Sequence, residues 1–189
     1  INWEFSHAAA LVSTLHPYKA IVNTCIVGST DAYDALVIPW GSSPITDYLL
    51  SSNSFIVLHD GASYDRGQKI FEIRKWETGK NNLRICWQGK RKDKNCGECT
   101  KCLRTALHFL ASNLNIPDNI PVYDHENQLK RTKIINRADA LRWNQVLELA
   151  KHNSINEKWV KILSNKLFIY ELKQFIKYVL RYKILSPKK

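Results

Sequence analysis

The sequence predicts an α/β protein with a parallel sheet and flanking helices, and three observations carry that expectation. Two short β-branched runs without alternation, residues 20–27 and 55–58, read as strands covered on both faces. Each run leads directly into small polar residues, Gly28-Ser29-Thr30-Asp31 and His59-Asp60-Gly61. Segments with helical spacing of apolar residues precede and follow the runs, so helix and strand alternate along the chain.

The elements follow in order. Residues 3–15 form a helix whose broad apolar side includes Phe5, Ala8, Leu11, Val12 and Leu15, and His16-Pro17 ends it. The first strand holds Cys25, which reads as core. In open α/β sheets the loops after the strands' carboxyl ends form the ligand crevice, which makes Gly28 and Ser29 crevice candidates. Residues 36–52 contain two prolines, a glycine and several hydroxyls, an irregular loop leading to a short helix near Asp47. Trp40, Gly41, Ser42, Ser43 and Asp47 suit the wall of a small-molecule site. His59 and Asp60 end the second strand in a site-like setting, with a hydrogen-bonded structural histidine as the alternative. Residues 65–76 read as a helix with Ile70, Phe71 and Ile73 inward. Residues 83–87 read as a third strand that delivers Cys86, and residues 100–111 as a helix carrying Cys102 on its first turn. The break at 117–121 divides an α/β part, 1–116, from a helical extension, 117–189.

Cys86, Cys96, Cys99 and Cys102 are spaced C-x9-C-x2-C-x2-C. Two-residue gaps let neighbouring thiolates turn toward one point, and Gly97 supplies the backbone freedom for that turn. Four thiolates match the closed tetrahedral set of structural zinc, with an iron–sulfur cluster as the alternative. Tight C-x2-C spacing would strain a structural disulfide. Lys94, Lys101 and Arg104 flank the site and would offset its negative charge.

The formal net charge is +11, and it is unevenly placed. Residues 130–189 carry fifteen Lys and Arg against four Asp and Glu, whereas residues 1–129 carry thirteen of each. That asymmetry suggests nucleic acid or another anionic surface, or else a solvated basic face. Walker A, GxGxxG, HExxH and GxSxG motifs are absent. No run of eighteen apolar residues marks a transmembrane segment, and Ile1-Asn2-Trp3-Glu4 does not open a signal peptide, so the expected compartment is cytoplasmic. The apolar groups of residues 156–182, from Trp159 to Val179, exceed what a free helix carries. They would pack on the body, on a second copy in a homodimer, or at a membrane surface.

At the cysteines the sequence resembles the 7-cyano-7-deazaguanine synthase branch of the PP-loop ATP pyrophosphatases. The resembling residues are Cys86, Cys96-Gly97-Glu98-Cys99 and Cys102-Leu103-Arg104, and upstream Gly28, Asp34 and Pro39. Uncharacterised bacterial relatives of that branch share the run from Pro39 to Asp47, His59-Asp60-Gly61, Arg66, the run from Leu83 to Trp87 and the run from Asn95 to Thr105. The resemblance covers roughly residues 3–110 and implies part of an adenine-nucleotide-hydrolase-like domain. The family's Ser-Gly-Gly-x-Asp-Ser nucleotide loop has no counterpart here. The implied protein is therefore the C-terminal portion of a longer adenylating enzyme, inactive without that loop and using ATP only when intact. Its small-molecule or nucleobase-precursor crevice would include Gly28, Ser29, Asp34, the Trp40–Asp47 wall, His59, Asp60 and Arg66. The alternative from a different class is a non-catalytic zinc module whose basic helices bind nucleic acid.

Overall fold

The structure, a computed structural model, describes residues 2–87 and 89–185, with side chains through Arg181. Two compact units divide between Gln68 and Lys69.

In the first unit, helix α1 spans Trp3–Leu15. Asn2 caps it, its side-chain oxygen accepting from the Glu4 amide at 2.9 Å. Ala8 and Val12, one turn apart, are its buried residues. Strands β1, Thr24–Gly28, and β2, Ile56–Asp60, pair in parallel, with Cys25 opposite Val57 and Gly28 opposite Asp60. Cys25, Val57, Val12 and Phe55 form the core beneath the sheet.

Two expectations about these strands are corrected. Residues 20–22 do not extend β1, because the amides of Ile21 and Val22 bond back to the Tyr18 carbonyl at 2.8 and 2.9 Å in a turn. The pair is also covered on one face rather than two. Strand residues alternate sides, so with Cys25 and Val57 inward, Ile26, Ile56 and Leu58 stand on the other face, 67, 49 and 49% exposed.

The second unit is helical: α2 (Arg66–Ile73) enters it from the first, followed by α3 (Glu77–Asn81), α4 (Thr100–Ala111), α5 (His125–Arg131), α6 (Arg137–His152) and α7 (Lys158–Leu185). The single helix expected over 65–76 ends at Ile73, and α3 begins a new one after Trp76. The α4 residues Leu103, Ala106, Leu107 and Phe109 are fully enclosed. They share one core with Leu129 of α5, Trp143, Val146 and Leu147 of α6, and Trp159 and Leu163 of α7. Asp124 and Asn136 cap α5 and α6, accepting from the amides of Asn127 and Asp139. Lys166 of α7 donates to the carbonyls of Lys130 and Thr132 at 2.8 and 2.9 Å, placing a cation at the carboxyl end of α5. Partial burial lowers its pKa from the usual lysine value.

The third strand expected at 83–87 is not formed among the described residues; the sheet has two strands. Side-chain amides replace a strand partner there. Asn95 Oδ1 accepts from the Ile85 amide at 2.9 Å, and Asn95 Nδ2 donates to the carbonyls of Leu83 and Asn119 at 2.8 Å each. Asn119 Nδ2 also donates to the Leu83 carbonyl at 3.1 Å. A segment whose polar groups are satisfied this way needs no ladder.

Candidate metal centre and crevice

The four sulfurs of Cys86, Cys96, Cys99 and Cys102 lie within 4.8 Å of one another. Cys102 Sγ is 3.4 Å from Cys86 Sγ, 3.6 Å from Cys99 Sγ and 3.8 Å from Cys96 Sγ. A tetrahedron with metal–sulfur bonds of about 2.3 Å has edges of about 3.8 Å, so the donor set fits a zinc-sized ion. Cys86 and Cys102 are buried, while Cys96 and Cys99 are partly so.

The chain brings the donors together by distinct means. Cys102 sits in the first turn of α4, and Cys99 is its N-cap residue. Gly97 lies at φ +74°, and a Cβ there would stand 2.2 Å from the Pro121 carbonyl oxygen, so both conformation and space require glycine. Cys86 is held by the asparagine-bonded segment described above. The Cys96 amide donates to Cys86 Sγ at 3.2 Å and the Cys99 amide to Cys96 Sγ at 3.4 Å. Such amides support negative sulfur and orient the ligands. Burial raises the pKa of Cys99 and of Cys102, and for Cys102 the neighbouring Cys86 raises it further. A buried thiolate set without a cation is unfavourable, and a divalent ion would supply the missing charge.

Two of the flanking cations make further contacts. Arg104 is buried and pairs with Asp139 at 3.6 Å, tying α4 to α6. Lys101 places its ammonium 3.5 Å from the centroid of the Trp87 ring, a cation–π contact beside the cysteines.

Asn95 and Asn119 were not among the expected site residues. Their signal in the sequence was faint, because asparagines in such irregular segments read equally as turn residues. Replacing Asn95 with Ala is expected to cost about 2–3 kcal/mol, since it takes away the partner of the Ile85 amide and of the Asn119 carbonyl and leaves the Leu83 carbonyl with Asn119 alone. Denaturant melts with zinc present check this, and an unchanged midpoint would contradict it.

In the first unit, the expected crevice forms in part. A small pocket is lined by Ser29, Thr30, Asp31, Trp40, Ser42, Ser43 and His59, closed by Leu36, Val37 and Pro44. Its volume of about 10 Å³ is room for one water-sized group. Asp47, 1% exposed, organises one wall. Its Oδ2 accepts from Ser42 Oγ at 2.7 Å and lies 2.8 Å from His59 Nδ1, while its Oδ1 accepts from the Ser43 amide at 2.9 Å. When the His59 ring donates Nδ1–H to Asp47, Nε2 is left as its second nitrogen. The Nε2 atom is buried and has no hydrogen-bond partner among the described residues.

Five other candidates stand apart from this pocket's lining. Gly28 ends β1, and Asp60 ends β2 with an exposed side chain. Asp34 is exposed in a 3-10 turn, Tyr33–Ala35. Gly41 packs on α1, its amide donating to the Glu4 carbonyl at 2.7 Å and its carbonyl accepting from the Ala8 amide at 3.0 Å. A Cβ on Gly41 would meet the Ser6 amide nitrogen at 2.7 Å, so glycine is needed there for close approach. Arg66 opens α2.

Fold and site together define an α/β chain with a two-stranded parallel sheet, flanking helices and a four-cysteine group close enough to hold a metal ion. Compared with protein-family models, curated proteins and solved structures, the chain gives no match.

Proposed function

We propose that this chain is the zinc-bearing portion of an ATP-dependent adenylating enzyme of the PP-loop type, acting on a small molecule or nucleobase precursor. In that chemistry a carboxylate or carbonyl oxygen attacks the α-phosphorus of ATP and pyrophosphate leaves. A nitrogen nucleophile then displaces AMP from the adenylate. The zinc is structural, because four cysteines leave no open coordination position.

The observation that carries the reading is the hydroxyl-lined pocket at the carboxyl ends of two parallel strands, where ligands bind in open α/β sheets. The order of motifs from Pro39 to Thr105 adds to it. Within the pocket, His59 held by Asp47 is the group suited to accept a proton from a nucleophile. Ser29, Ser42 and Ser43 line the same pocket.

The test uses a version of the protein extended upstream of Ile1 to include a Ser-Gly-Gly-x-Asp-Ser loop. It is expected to exchange labelled pyrophosphate into ATP when its acceptor is present. Absence of both ATP binding and exchange across a broad screen of carboxylates and nucleobase precursors would overturn the reading.

A further inference from the structure

Helix α7 changes its apolar side along its length. In its first half, Trp159, Leu163 and Leu167 are buried against the rest of the unit. Beyond them, Phe168, Ile169, Leu172, Phe175, Ile176 and Leu180 are 45–68% exposed. Of the three expectations for these groups, packing on the body holds for the first set. At about 100° per residue, the second set spans an arc of roughly 140°, centred on the side of the helix opposite the first set. The body that buries Trp159 therefore cannot cover Phe175 by the same contact.

The opposite side of this distal half carries Lys173, Lys177 and Arg181. Residues 168–189 contain six Lys and Arg and one acidic residue, Glu171. A helix–helix seam needs a narrower stripe than this. A wide apolar arc with basic residues on the other side matches a helix lying in a lipid interface, with the side-chain ammonium groups reaching headgroups. None of the described helices is long and apolar enough to cross a membrane.

We propose that residues 168–181 dock on the surface of a membrane containing anionic lipid. The occupant is recognised by its negative headgroups and by acyl chains that take up Phe168, Leu172 and Phe175. Phosphate-rich nucleic acid could satisfy the lysines but would leave the apolar arc in water.

Co-sedimentation of the zinc-loaded chain with vesicles tests this. Binding is expected to phosphatidylcholine vesicles containing about one-third phosphatidylserine, falling at high salt, and to be weak on phosphatidylcholine alone. Leu172→Ser with Phe175→Ser should weaken it at least about tenfold without lowering the melting temperature, because both side chains are already exposed. Lys173→Glu with Lys177→Glu should weaken it on anionic vesicles. Three results would overturn the proposal: no binding to anionic vesicles, binding that the serine variant leaves unchanged, or a dimer by light scattering that the serine variant converts to monomer.

Discussion

Cys99→Ser is expected to release the metal and unfold the region around residues 86–105. Zinc binding in closed thiolate sites supplies roughly 10–16 kcal/mol of apparent free energy, comparable to the whole stability of a domain. A hydroxyl does not replace the thiolate, and the remaining sulfurs, Cys102 with no exposure and Cys86 with 2%, would be left buried without a cation. The damage should spread, because Cys102 and Leu103 are adjacent in α4 and Leu103 belongs to the core shared with Trp143 and Trp159. Metal analysis of the unaltered protein should give about one zinc per chain, as a closed four-thiolate site requires. Iron with visible absorbance would mean a cluster instead. Cys25→Ser is the control: Cys25 lies in the core of the first unit with Val12, Phe55 and Val57, so its loss should cost packing and leave the metal in place. A metal-free, fully folded protein would contradict the assignment.

The helices were legible where the apolar periodicity was clear. Residues 3–15 and 100–111 were expected as helices with those limits and form α1 and α4. The four cysteines were legible because spacing alone constrains where thiolates converge. What local pattern could not show was the partner of each segment. Leu83-Arg84-Ile85-Cys86 has the composition of a strand, yet the long-range amides of Asn95 and Asn119 take its backbone groups, and nothing in the local sequence announces that. The one-sided burial of β1 and β2 was hidden for a related reason. A β-branched run such as Thr24-Cys25-Ile26-Val27 does not say which of its faces is covered. The Asp47–His59 pair joins residues twelve apart through a loop, so each residue was visible as a candidate but their contact was not.

Two truncations should separate the halves of α7. Ending the chain after Asn153 removes Trp159, Leu163 and Leu167, which are 0, 0 and 6% exposed. Full burial of large apolar side chains stabilises by roughly 1.5–3 kcal/mol each, so their loss amounts to about 5–9 kcal/mol, within the range of total domain stability. The cut also uncovers buried partners in the same core, among them Trp143, Val146 and Leu129. It further removes Lys166, whose ammonium satisfies the last carbonyls of α5. The shortened protein is therefore expected to aggregate, or to lose its cooperative thermal transition. Ending the chain after Gln174 instead removes Phe175 and Ile176, 64 and 48% exposed, and leaves the buried stripe intact. That protein should melt within a few degrees of the full chain, as expected for removal of exposed groups. Calorimetry on both decides the matter. If the shorter truncate keeps its melting temperature, α7 does not belong to the core. If the longer one collapses, the distal half is structural rather than a surface for a partner.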